Sequence, residues 1–382
     1  MPALVSHVRA EHGPGLPGHL ERLVAPFGGW TRIVRPGERI AVKINLLRGA
    51  EPERAVCTHP ETLRAVLRAI KAAGAEPFVA DSPGGRNPPQ KIARIWKLSG
   101  IADVCMQEHV ELRDVENEGL PFPCPDGLRF RSFTVARSFV EAHGIVQLGP
   151  LKTHQLMRLT GGVKLTFGCI PGLTKARLHI NLPERADFAD MLLDLHLGLA
   201  PRFTIIDGIV AMQGQGPGGG TPCALGSLFA AHDAVALDAA LADRTGHDRA
   251  EVYTLAAAER RGIIDLQTPY QATGDQIVDE PGFVHAGRDL DARIPRRLRA
   301  VGRRLLTARP RVVAPSLCIR CGECAGICGN GACTLARVPV YDDDRCVRCY
   351  ACVEVCPTGA IDAVNPPLVR LAERFQRQPA ES

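Results

Sequence analysis

Aromatic residues are scarce in this chain, 5% of 382, and none falls within its densest basic stretch. That removes the stacking platform on which single-stranded nucleic acid is held, so a nucleic-acid partner is not expected. Lysine is scarce as well. Of 46 basic residues only seven are lysine, at positions 43, 71, 91, 97, 152, 164 and 175. No apolar run approaches the roughly 18 residues of a membrane-spanning helix. Met1 to Gly15 has neither the apolar centre of a signal peptide nor a twin arginine, so secretion is not expected. The P-loop pattern G-x4-G-K-[ST] is missing, and no G-x-G-x-x-G follows the first strand. Nucleotide hydrolases and NAD enzymes of the ordinary kinds are thereby disfavoured.

Cysteine is plentiful, and most of it lies at the C-terminal end. Cys318, Cys321, Cys324 and Cys328 form C-x2-C-x2-C-x3-C, and Cys346, Cys349, Cys352 and Cys356 repeat it, followed by Pro357. This is the bacterial ferredoxin pattern, in which the fourth cysteine of each motif ligates the other cluster. Two-residue gaps let one tight loop present three thiolates to three corners of a cubane, and the fourth corner needs a ligand from elsewhere. The halves align at a constant offset of 28 residues, Cys318-Ile319-Arg320-Cys321 on Cys346-Val347-Arg348-Cys349. Two [4Fe-4S] clusters are expected, one held by Cys318, Cys321, Cys324 and Cys356, the other by Cys346, Cys349, Cys352 and Cys328. Cys333 aligns with Ile361 and is read as a packing residue. Gly329 stands where proline usually follows the fourth cysteine. Zinc knuckles and disulfides are poor fits for three thiols crowded into one loop. Thiolates committed to clusters point to a reducing compartment, the cytoplasm.

The remaining length suffices for a second, larger domain, with 45% hydrophobic residues to fill its core. Arg39–Leu46 reads as a strand, Thr58-His59-Pro60-Glu61 as a capping box opening a helix, and Pro77–Asp81 as the next strand. Strand, helix and strand at this spacing imply a βαβ unit and a parallel sheet. Further strands are expected at Gly144–Gly149, Phe203–Gly208 and Leu225–Ala231. Helices are expected near 90–97, at 187–199 and from Asp233 to about Arg244. The expected fold class is α/β, a mostly parallel sheet with flanking helices, plus a small C-terminal α+β bacterial ferredoxin-like domain. Its boundaries read as an α/β domain over 1–269, a basic linker over 270–312, the two-cluster domain over 313–365 and a tail over 366–382. Within the linker, eight arginines and no acidic residue lie between Arg293 and Arg311. Ile294, Leu298, Val301 and Leu305 keep helical spacing there. Such a helix packs internally or offers a peripheral contact with an anionic membrane or an acidic partner.

Lys43, Asn45, Asp81, Lys152, His154, Asp207 and Asp233 all fall at or just past the ends of expected strands, the edge where open α/β sheets bind ligands. Several of these positions belong to recognisable motifs. They are Val42-Lys43-Ile44-Asn45, Lys152-Thr153-His154, Thr160-Gly161-Gly162-Val163-Lys164, and Phe167 to Gly172 with Lys175 and His179. Ile206-Asp207-Gly208, Gly216-Pro217 and His232-Asp233 through Asp238 complete the series. In this order they resemble the domain-of-unknown-function 362 family, over about 40 to 250, whose members often carry a two-cluster ferredoxin module. One departure is Leu165-Thr166, where family members usually have an asparagine; Thr166 is the residue that could take over its contact. The resemblance implies a domain layout and no activity.

Activity must be read from residue types. Lys152 and His154, two apart on an extended segment, face one side. Together they can bind an anion and move a proton. The expected catalytic set is His154, Lys152, Lys164 and Asp207, with His154 exchanging a proton and Asp207 orienting a lysine or hydroxyl. Lys43, Asn45, Lys175 and His179 are expected to hold a ligand or cofactor, beside backbone turns at Gly161, Gly162, Gly168 and Gly172. A metal site built on Cys169, the two histidines and Asp207 is a weaker alternative, because ligand spacing is absent. The leading reading is an oxidoreductase passing electrons through the clusters to a small anionic substrate or cofactor, with an unidentified redox partner protein. The others are a non-catalytic electron carrier or assembly factor whose α/β domain docks a partner, and an enzyme whose clusters are structural.

Overall fold

The structure, a computed structural model, describes residues 2–286, 306–367 and 369. In chain order the strands are β1 (Ala3–Arg9), β2 (Arg39–Lys43), β3 (Glu76–Ala80), β4 (Glu111–Arg113), β5 (Gly119–Pro123), β6 (Ser132–Ala136), β7 (Gly144–His154) and β8 (Arg158–Thr160). They continue as β9 (Phe203–Gln213), β10 (Thr221–Ala231), β11 (Tyr270–Gly274), β12 (Arg309–Val312), β13 (Cys333–Leu335), β14 (Pro339–Tyr341) and β15 (Ile361–Val364). Nine of them form one sheet in the order β11-β1-β10-β9-β7-β2-β3-β4, with β8 paired to β7. The pairs β7–β2, β2–β3, β3–β4 and β7–β9 are parallel, and β10 runs antiparallel between β1 and β9. The chain is thus α/β with a mostly parallel sheet.

Central strands buried on both faces read as unbroken apolar runs. Ile40 and Val42 of β2 enter one core with Leu63, Leu67 and Ile70 of the helix Pro60–Ala72. Ala41, between them, enters the other core with Leu192 and Leu195 of the helix Arg185–Leu199. That second core is continuous with Ile327, Ala351 and Val355 of the cysteine-rich module, which is packed on the sheet domain by apolar contact.

Local details depart from the expected ones. The helix Pro60–Ala72 is capped by His59, whose side chain accepts the Glu61 N–H. The Thr58 hydroxyl instead donates to the Leu148 carbonyl and accepts the Asn45 N–H. The strand expected to end at Gly149 is longer: β7 continues to His154 because β8 and β9 supply its partners. The span 103–140 holds the end of the helix Ile101–Gln107, the edge strand β4 and a separate β5–β6 hairpin. Tyr270–Gly274, placed by sequence in the linker, is β11 and pairs with β1, so the sheet extends past 269. At the other end β12 pairs with β15, inside the cysteine-rich module. The helix expected over Ile294, Leu298, Val301 and Leu305 lies outside the described residues, as does most of the tail.

Duplication is visible in the module's backbone. Arg320 and Arg348 both adopt left-handed φ, at 56° and 57°, and Gly322 and Tyr350 do so two residues later. Short helices follow at Glu323–Gly326 and Ala351–Glu354, again 28 residues apart. The halves interlock, since β12 pairs with β15 and β13 with β14.

Candidate functional site

Three neighbouring strands deliver side chains to one buried cavity. Lys43 ends β2, Asp81 follows β3, and Lys152 lies near the C-terminal end of β7, at a register shift between Pro150 and Lys152. Such irregularities often re-aim side chains beside functional sites. The cavity, about 70 Å³, is lined by Lys43, Asn45, Asp81, Lys152, Lys164, Lys175 and His179, with Leu46, Leu47, Leu165 and Phe167 as apolar wall. That is several times the volume one water requires. The cysteine-rich module supplies part of its wall, through Ile327, Ala351, Glu354 and Val355.

Each ammonium is held differently. Lys43 Nζ lies 2.8 Å from Asp81 Oδ1 and donates to the Ile44 carbonyl at 2.6 Å. Asp81 Oδ2 accepts the Leu46 N–H. A Cβ at Gly168 would collide with both members of this pair, so glycine is required there by close approach. Lys152 Nζ donates to the Val56 carbonyl at 2.9 Å, the same oxygen that receives Asn45 Nδ2 at 3.1 Å. Lys175 Nζ donates to the Ser82 carbonyl. Lys164 has no hydrogen bond or ion pair among the described residues, and its Nζ lies 5.8 Å from the centre of the Phe167 ring. It is carried by the short helix Gly162–Leu165, whose first N–H groups, of Gly162 and Val163, donate to the buried Asp238 carboxylate. Burial pushes Lys152 and Lys175 down to about 8 and lowers Lys164 as well, because a desolvated ammonium loses hydration.

The two histidines meet the module. His154 Nδ1 accepts the N–H groups of Leu156 at 3.0 Å and Met157 at 3.3 Å, which leaves the proton of the neutral ring on Nε2. That N–H faces Glu354 Oε1 at 3.2 Å, without the alignment of a good hydrogen bond. His179 Nε2 lies 4.0 Å from Glu354 Oε2, and its ring stacks on Phe188. Burial lowers His154 to about 3 and His179 to about 4, so both rings are neutral near pH 7. Burial alone would raise the Glu354 carboxyl, but the Nε2–H of His154 and the charge of Lys164 beside it outweigh burial and lower the group.

Glu354 lies midway between Cys352 and Cys356. A second cavity is lined by Cys346, Cys349 and Cys352 together with Cys328 of the first motif. Cys333, buried on β13, borders this cavity too and contacts Cys324. A cubane separates its thiolates around a volume, so cysteines ringing a cavity suit it better than cysteines converging on a point. The paired left-handed residues in each loop turn successive N–H groups to one side, as sulfide acceptors require. These residues fit the expected group. Among the described residues no three His, Cys, Asp or Glu side chains converge on a single ion, which removes the metal site built on Cys169. The His154 tautomer points the same way, because Nε2 carries a proton and offers no lone pair.

Of the eight α/β residues singled out by sequence, six line the cavity and His154 adjoins it through Glu354. Asp207 does not join them. Its carboxylate accepts from Thr62 Oγ1 and the Ile209 N–H and lies 3.2 Å from His12 Nε2, in a separate cluster where His12 stacks on His59. Asp233 is a helix cap, accepting from Val235 and Ala236 N–H. The Thr166 hydroxyl donates to the Val163 carbonyl within its own turn and replaces no site contact. Glu354 was missed. Its only signal was a lone acidic residue inside a cysteine motif, and nothing local says which surface it faces.

A family model described as domain of unknown function (DUF362) matches residues 40–243, and two models described as 4Fe-4S binding domain match residues 315–331 and 339–362. The thylakoid-associated protein sll1697 of Synechocystis sp. is 32% identical over 290 residues, covering 74% of this chain and 87% of that protein. Among the described residues no helix is long and apolar enough to cross a membrane.

Proposed function

The chain belongs to the DUF362 family and ends in ferredoxin-type 4Fe-4S binding domains, and on that premise we propose an iron–sulfur oxidoreductase that acts on a small anion held in the lysine-lined cavity. The observation that carries this reading is Glu354: a residue flanked by two motif cysteines forms part of the wall of the cavity and faces its histidines. Cluster-binding backbone and anion site therefore share one wall, and short separation is what outer-sphere electron transfer needs. Two [4Fe-4S] clusters, bound with Cys328 and Cys356 exchanged between motifs, would supply single electrons at low potential.

The chain's own groups divide the remaining work. Lys164, with no hydrogen bond or ion pair among the described residues, is the primary anion contact, and Lys43 stays neutralised by Asp81. A neutral His154 lowered to about 3 cannot serve as an acid near pH 7; its Nε2–H orients the ligand or Glu354. The proton-exchange role assigned to His154 from sequence passes to Lys152 and Lys175, whose values near 8 suit proton transfer at ambient pH. The apolar wall limits water around the reacting anion. Exposed Cys321 marks the face where the first motif is open to an electron-carrying partner. We place the protein in a reducing cytoplasm; at the end of the basic stretch Arg309 and Arg311 pair with Asp343 of the cysteine-rich module.

The test is a spectroscopic redox titration of the anaerobically purified full chain with and without sulfate. Added negative charge beside a cluster opposes reduction, so bound sulfate should lower the midpoint potential by on the order of tens of millivolts. Lys152→Ala should abolish the shift. Clusters that stay redox-silent throughout the accessible range would overturn the reading.

A further inference from the structure

The proposed function leaves the ligand's charge and shape open, and the cavity constrains both. Four ammonium groups, Lys43, Lys152, Lys164 and Lys175, line it against two carboxylates, Asp81 and Glu354. The count is four positive charges to two negative, and His154 and His179 add none near pH 7. Beyond the wall, Glu116 accepts from Ser82 Oγ and from the Gly172 N–H, where it tempers Lys175. Cys57 beside Lys152 is kept a neutral thiol by burial. Charge on a thiolate-bound cluster would offset part of the surplus, but it places no oxygen acceptor inside the cavity.

Hydrogen bonding narrows the ligand further. Four ammonium groups carry about twelve N–H donors, three each. Their protein acceptors are Asp81 Oδ1 and the Ile44 carbonyl for Lys43, the Val56 carbonyl for Lys152 and the Ser82 carbonyl for Lys175. Lys164 has none among the described residues. Three donors are thus hydrogen-bonded and a fourth is spent on the ion pair with Asp81, whose Oδ1 receives no aligned hydrogen bond, so about eight are left for water or ligand. An anion with four oxygens, each accepting about two hydrogen bonds, matches that number. Leu46, Leu47, Leu165, Phe167, Ile327 and Val355 add no polar side chain, while Asn45, Ser82 and Thr160 bring an amide and two hydroxyls to the same wall. At about 70 Å³ the space suits a compact molecule.

We infer that the cavity takes a compact four-oxygen dianion, a tetrahedral oxyanion or a short dicarboxylate, in preference to monoanions and neutral molecules. The inference rests on the reading of this cavity as the ligand site. Glu354 is the ligand's internal competitor, a carboxylate from the cluster module already set among the same cations.

Calorimetric titration of the cluster-loaded full chain under argon, at pH 7 and fixed ionic strength, tests it with sulfate, malonate, acetate and nitrate as probes. Sulfate or malonate should bind at least about tenfold tighter than acetate or nitrate, and whichever of the two is tighter identifies the tetrahedral or dicarboxylate form. Lys164→Gln should weaken the tighter dianion roughly tenfold, and Lys175→Gln should weaken it as well. Glu354→Gln should tighten it several-fold, a gain that misfolding cannot imitate. Lys97→Gln, an exposed lysine on the helix Pro89–Leu98 outside the cavity, should change nothing. Monoanions binding as tightly as sulfate and malonate would overturn the inference while leaving an anion site in place. Dianion binding that leaves the cluster potential unmoved would instead count against the redox reading alone, and no binding by any probe would remove both.

Discussion

A lysine buried in a cavity is held there against its own hydration, and Lys152 and Lys175 express that cost as values near 8, compared with about 10.4 in water. The groups that face them include Lys43, Lys164, Asp81, Glu116, Glu354 and the neutral Cys57 thiol, so the local field is mixed and burial dominates. Two consequences of opposite sign follow. Between about pH 8 and about pH 10 the unfolded chain holds more protons at these positions than the folded one, so their contribution to stability rises with pH. Anion affinity does the reverse: sulfate binding should be flat below about pH 8 and fall above it, by up to roughly tenfold per pH unit for each proton the complex must retain. Calorimetry at pH 6.5, 8 and 9.5 reads the fall directly, and an affinity constant across that range would remove both lysines from the site. At this scale sequence was informative where residue type was unusual. Four of the seven lysines kept in an arginine-rich chain converge on the cavity, where a compact, strongly hydrated ammonium is the group that tolerates tuning by burial. Asp207 resembled them in position and motif, yet its partners His12, Thr62 and His59 came from segments whose approach no local pattern encodes.

Among elements, the repeated cysteine loops were the most legible part of the chain. Their spacing restricts backbone torsions directly, and the left-handed pairs Arg320, Gly322 and Arg348, Tyr350 appear at the offset the sequence repeats. Cys328 borders the cavity of Cys346, Cys349 and Cys352, from which a crossed loss of metal follows. Cys328→Ala should damage the cluster of the second motif and Cys356→Ala that of the first. Iron content and paramagnetic spectra of the two variants distinguish this from uncrossed ligation, in which each would damage its own motif's cluster. The helix Gly162–Leu165 was harder to foresee. Four residues with two leading glycines have little intrinsic preference for helix, and the element depends on Asp238, far along the chain, accepting its first N–H groups. β7 likewise ran five residues beyond its expected end because β8 and β9 supplied partners, overriding Pro150 within the strand.

For the whole molecule, the arrangement makes the lysine-lined cavity a property of two domains together. Ile327, Ala351, Glu354 and Val355 reach the cavity from the short helices that follow the cysteine loops, and such helices have no independent stability without tertiary or metal support. Removing iron with a chelator under reducing conditions should therefore loosen this wall. Sulfate affinity should drop by roughly tenfold or more, and limited proteolysis should cut near 327 and 351–355 before the sheet domain is attacked. Unchanged affinity in the metal-free chain would show that the site belongs to the sheet domain alone. By itself the sequence determined the ferredoxin-type cysteine motifs, the α/β class and the family resemblance, since each is written in spacing, periodicity or residue pattern over short distances. Only the tertiary structure decided that Glu354 faces His154, two hundred residues away, and that Asp207 lies elsewhere. Those contacts arise from how two apolar surfaces pack, and packing is settled by the shape of the whole core, which short-range pattern does not carry.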